Sequence, residues 1–85
     1  MSYFEGLSRG SPAHKATRLS ERAFRIEPVD ANTDSWVAFQ DVVDEALSHF
    51  GQDGYEVRPT KNTQRPLPGW GTRPVYDSAA IFRTD

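Results

Sequence analysis

Apolar residues recur at three- and four-residue spacing from Trp36 through Phe39, Val43, Ala46 and Leu47 to Phe50, with Val42 widening the stripe. Gln40, Asp41, Asp44, Glu45 and Ser48 fall on the opposite side, so the spacing predicts one amphipathic helix that ends at about Phe50. Thr33 or Asp34 is expected to cap its start through a side-chain oxygen, and Gly51 sits where a left-handed stop is wanted. On either side the period changes to two. Residues 23–29 place Phe24 and Ile26 on one side and Arg25 and Glu27 on the other, until Pro28 removes a ladder donor. Residues 55–60 alternate Tyr55, Val57 and Pro59 with Glu56, Arg58 and Thr60. Residues 75–84 are apolar on both sides, with Tyr76, Ala80 and Phe82 against Ala79 and Ile81, the pattern of a central strand.

Two stretches show no period. Residues 62–74 hold three prolines and two glycines and predict irregular structure. Residues 1–20 are rich in Ser and Gly and predict an N-terminal tail or arm, in which Tyr3, Phe4 and Leu7 would anchor on a neighbouring surface. The expected fold class is therefore α+β: a single small β-α-β-β domain over residues 21–85. Its one helix packs on a three-stranded, mostly antiparallel sheet, and a long loop joins the second and third strands.

Composition narrows what can stabilise such a domain. A chain of 85 residues buries a thin core, and the usual supplements are disulfides, a metal or oligomerisation. Cysteine is absent, which excludes disulfides and thiolate ligands, and two histidines, His14 and His49, make a structural metal unexpected. Docking on a partner or on copies of itself is the supplement left. No apolar run can span a membrane, and the first ten residues lack the basic start and apolar middle of a signal peptide, so a cytoplasmic protein is expected. The net charge of −2 conceals an uneven distribution. Residues 26–50 carry six acids and no Lys or Arg, while Arg58, Lys61, Arg65 and Arg73 follow with no acid between Val57 and Tyr76. An acidic helix side and a basic loop side are predicted.

The segment Leu47-Ser48-His49-Phe50-Gly51-Gln52-Asp53-Gly54-Tyr55-Glu56-Val57 resembles the Leu-x-x-Leu-Gly-x-x-Gly-Trp-Glu-aliphatic segment of a widespread small bacterial family of unknown function. That family's β-α-β-β domains close on a Phe-x-Arg-like strand, to which Phe82-Arg83 is similar. Phe50 and Tyr55 depart from the pattern, as do the longer final loop and the added arm. The resemblance implies a fold and no activity. In element order alone the chain is also similar to dodecins, whose flavin is held by an aromatic on the second strand; Tyr55 is the corresponding position.

No catalytic constellation stands out. Neither histidine is spaced with an acid and a serine in a nucleophile pattern, and Gly69-Trp70-Gly71 lacks the helix that a phosphate cradle needs. Asp44-Glu45 reads as a solvated face, His49 as a complement to the helix dipole, and His14 as a solvated tail residue. No enzyme activity, no cofactor and no metal site is expected. The unusual stretch is the loop, where Trp70 stands between glycines and flanking arginines, the composition of an interface hot spot. The expected function is a non-enzymatic protein-binding module, an adaptor or inhibitor of the kind that phages or mobile elements carry. It would act through Trp70, Arg65, Arg73, Arg58, Lys61 and Leu67 of the loop side and Tyr3 and Phe4 of the arm, against a protein partner or in a homo-oligomer. One alternative is nucleic-acid binding by the same basic loop, which a pI near 5.6 weakens. Another is an oligomeric, flavin-like small-ligand binder.

Overall fold

A computed structural model describes residues 3–49, 54–69 and 71–84, and for Tyr3 and Phe4 the backbone alone. Its elements run α1 (Tyr3–Ser8), β1 (Lys15–Ser20), β2 (Ala23–Glu27), α2 (Thr33–Ser48), β3 (Tyr55–Thr60), β4 (Thr63–Leu67), β5 (Gly71–Val75) and β6 (Ser78–Arg83). The chain is α+β with antiparallel sheets. Four strands form one sheet in the order β1-β2-β6-β3, and β4 and β5 form a separate two-stranded ribbon. The expected β-α-β-β unit lies inside this arrangement as β2, α2, β3 and β6, with β6 central and antiparallel to both neighbours.

The expected three-stranded sheet is thus incomplete by one strand and one ribbon, and each difference has a physical reason. Strand β1 comes from the segment expected as a tail or arm. Of its residues only Ala16 is partly buried, so the strand is held by its ladder to β2 and shows no apolar alternation. The ribbon comes from residues 62–74, expected to be irregular. Its register pairs Gln64 with Pro74 and Pro66 with Thr72, which are alternate pairs of one class. Proline has no N–H to give a ladder, so it fits the class whose backbone groups point away from the partner strand, and a shared class accommodates both prolines. Pro66 and Pro74 therefore did not forbid strands; they selected a register, while Pro68 lies between the two strands. The last strand also begins later than expected, at Ser78. Tyr76 and Asp77 turn the chain from β5 into β6, with the Asp77 amide donating to the Thr60 carbonyl at 2.9 Å.

One face of the four-stranded sheet holds the core. Phe24 and Ile26 of β2, Tyr55 and Val57 of β3, and Ala79 and Ile81 of β6 pack with Phe39, Val43 and Ala46 of α2. Tyr55 also donates its hydroxyl to the Ala46 carbonyl at 3.1 Å, tying β3 to the helix. The helix cap is Asn32, whose side chain accepts from the Asp34 amide at 2.7 Å, not Thr33 or Asp34. Gln40 lies within the buried stripe at 1% exposure and not on the polar side, because the chain entering β6 supplies it with backbone partners. Phe50 and Gly51, expected to end the helix, fall outside the described residues.

Helix α1 joins the same layer through Leu7, which is 5% exposed and part of the core cluster. His14, expected to be solvated, is 4% exposed and holds α1 in place. Its Nε2 donates to the Leu7 carbonyl at 2.9 Å, since a carbonyl only accepts, and Ser11 Oγ bonds Nδ1 at 2.8 Å. The ribbon docks on the other end of the helical layer. Arg65 lies over the Trp36 ring, 4.6 Å from its centroid, and donates to the Ala31 carbonyl, while Leu67 and Val75 are buried.

Candidate functional site

Strand alternation sends every second side chain to the sheet's other face, and both helices pack on the core face. The second face carries Arg25, Glu27, Glu56, Arg58, Thr60, Ser78, Ala80 and Phe82, and no described element covers it. Register sets Arg25 and Arg58 on either side of Ala80, roughly 10 Å apart at two strand spacings. A groove of about 410 Å³ opens there, with Arg25, Glu27, Thr60, Asn62 and Asp77 standing around Ser78 and Ala80.

The charges on this face are not equivalent. Arg58 is committed to Glu56, with Nε 3.1 Å from Oε1 and Nη2 3.3 Å from Oε2, and its guanidinium lies 5.2 Å from the Phe82 centroid. Lys15 approaches Glu27 at 3.9 Å, a loose exposed pair. The Arg25 side chain has no hydrogen bond or ion pair among the described residues, so its full charge faces the groove. Opposite it, Asp77 accepts from the Asn62 amide at 3.3 Å and from Thr63 Oγ1 at 3.0 Å through Oδ2, while its Oδ1 is buried without a partner among the described residues.

The two layers differ in sign. Asp34, Asp41, Asp44 and Glu45 are exposed on α2, which carries no Lys or Arg. The strands of the sheet carry Lys15, Arg18, Arg25, Arg58 and Arg83 against Glu27 and Glu56. The acidic helix side is present, and its basic counterpart is the sheet layer as well as the loop side.

Of the residues expected to meet a partner, those whose side chains are described stand on different elements. Arg58 lies on the uncovered face. Lys61 stands over the Tyr76 ring at 4.5 Å, and Arg65 is held between Trp36 and Ala31. Leu67, at 3% exposure, belongs to the ribbon's inner face. Arg73 pairs with Arg65 in the ribbon's register and is exposed. Tyr3 and Phe4 lie in α1, and Trp70 falls outside the described residues. Arg25 and Ala80 were the residues missed. The alternation around Phe24 and Ile26 already placed Arg25 on a polar face, and a single long helix can cover only one side of a sheet.

Tyr76 gives this region a pH signature. Burial, with a smaller contribution from the nearby Asp44 carboxylate, raises its phenol above the ordinary value of 10.0. The unfolded chain therefore loses this proton first, so the associated stability is whole below pH 10 and is lost as pH climbs through the raised value. Unfolding free energy, measured by urea titration between about pH 9 and 11, should fall more steeply in the parent chain than in Tyr76→Phe. Equal slopes would remove Tyr76 as the cause.

Among the described residues no group of His, Cys, Asp and Glu is placed to hold a metal ion, and no helix is long and apolar enough to cross a membrane. No protein-family model, no curated protein and no solved structure matches this chain.

Proposed function

We propose that this chain is a non-enzymatic protein-binding module that engages an acidic partner through its sheet layer. The observation that supports the reading most directly is the sheet face that no described element covers, on which the Arg25 side chain has no partner among the described residues beside Ala80 while the helical layer opposite is acidic. A charged surface of this kind steers encounter and selects partners of opposite sign, and burial of an unpaired guanidinium against a carboxylate supplies orientation. The binding surface moves from the ribbon tip to the sheet because Leu67 and Arg65 are engaged within the chain. The same face argues for protein over nucleic acid. Glu27, Glu56 and Asp77 alternate with its cations and would oppose a phosphate backbone, and its one aromatic, Phe82, lies under Arg58. A flavin-like reading would use Tyr55, which is 1% exposed and bonded to Ala46.

The test uses a photo-reactive side chain placed at Ala80 on the sheet face or at Asp44 on the helix face, irradiated in extract of the source cells. A discrete protein adduct at position 80, lost when Arg25→Glu is added and absent at position 44, is the expected result. An adduct at 80 that the charge reversal leaves unchanged, or adducts from position 44 only, would overturn it.

A further inference from the structure

Among the described residues four strand edges have no neighbouring strand: β1 and β3 at the sides of the sheet, and β4 and β5 of the ribbon. Backbone bonds show which residues of each edge point outward. The Arg83 amide donates to the Arg22 carbonyl at 2.8 Å and the Thr84 amide to the Gly54 carbonyl at 2.8 Å, so odd residues of β6 face β2 and even ones face β3. Carried through the registers, this turns the nitrogen of Pro59 away from β6 and the backbone groups of Ala16 and Arg18 away from β2. Pro66 and Pro74 occupy the outward class in the ribbon. Edges β3, β4 and β5 therefore each have an outward donor deleted by a proline, a common guard against strand addition. Edge β1 has none.

That edge is also bounded and accessible. A two-way bridge between Ser11 and His14 closes its start, with bonds of 2.8 and 3.3 Å. Gly10 stands beside its first amide, where a Cβ would lie 3.8 Å from the Ala16 nitrogen, so the open stretch runs from the Ala16 carbonyl through Arg18. The bulge between Arg18 and Ser20 displays Leu19, which at 46% is the exposed large hydrophobic among the described residues.

Resting on the protein-binding reading above, we propose that β1 accepts an extended acidic segment of a partner protein as a fifth strand of the sheet. Main-chain bonds to Ala16 and Arg18 would hold it, Leu19 would give an apolar contact, and charge selects it. Residues 9–25 carry five Lys and Arg against one acid, Glu21. A second copy would bring the same positive edge against its own, whereas carboxylates at alternate positions of an incoming strand share one face and would meet Lys15 on the uncovered face or Arg18 on the other.

The probes are two short labelled peptides, one alternating glutamate with valine and one alternating lysine with valine, read by fluorescence anisotropy against the full chain. The acidic peptide should bind at least about tenfold more tightly, and its addition should slow hydrogen exchange at the Arg18 amide. Arg18→Pro deletes that outward donor without touching the β1–β2 ladder and should weaken binding about tenfold. Should that variant fail to fold, exchange at Arg18 in the parent chain decides. Equal binding of both peptides, an unprotected Arg18 amide with the acidic peptide bound, or a dimer by light scattering that the peptide cannot dissociate would each overturn the proposal. The adduct at position 80 reports on the sheet-face reading separately, so the edge can fail while that reading stands.

Discussion

Replacing Phe39 with alanine should remove about 3–5 kcal/mol of stability. Phe39 is fully buried, at 0% exposure, in the one cluster that joins both helices to β2, β3 and β6. Chains of this length are stable by only about 4–13 kcal/mol in total, so the loss takes a large share of the whole and, towards the lower end of that range, unfolds much of the population at room temperature. The loss is large because nothing else offsets it. There is no cysteine to crosslink the chain, and a domain this small has little core to redistribute into a cavity. Urea titration followed by far-ultraviolet circular dichroism checks it, and a loss below about 1 kcal/mol would mean that α2 does not depend on this contact.

How much of this could be read from the chain follows from where side chains are buried. The helix was legible because Phe39, Val43 and Ala46 keep helical spacing, and β2, β3 and β6 were legible because Phe24 and Ile26, Tyr55 and Val57, and Ala79 and Ile81 are buried two residues apart. Strand β1 was not, since its residues are exposed almost throughout and its stability comes from backbone pairing with β2. The ribbon was hidden by prolines whose effect depends on register, which no local pattern reveals. Gln40 was misplaced because its environment is made by Tyr76, 36 residues away in sequence. The candidate surface was half legible: the sign of the charge asymmetry lies in the sequence, but the engagement of Arg65 and Leu67 and the freedom of Arg25 are consequences of packing.

Gln40→Leu should cost about 2–6 kcal/mol, taking about 1–3 for each of the two part-buried Tyr76 backbone groups left without a partner. Leucine keeps nearly the same volume, so the loss measures hydrogen bonding and not a cavity. The Gln40 amide donates to the Trp36 carbonyl at 3.1 Å and to the Tyr76 carbonyl at 2.9 Å, and its Oε1 accepts from the Tyr76 amide at 2.8 Å. Both backbone groups of Tyr76 thus depend on one side chain from α2, at the point where the chain leaves β5 for β6. The variant should therefore show a spatial signature beyond its global loss. Hydrogen exchange in β4 and β5 should accelerate more than exchange in β2 and β6, which keep their own ladder. A variant as stable as the parent, or one whose ribbon and central strands lose protection equally, would show that the ribbon is held by Arg65 on Trp36 and the buried Leu67 alone. The distinction bears on binding, because Asp77, next in the chain, forms one wall of the groove beside Arg25. If Gln40 positions that turn, the substitution should weaken the adduct at position 80 without altering any residue on the sheet face.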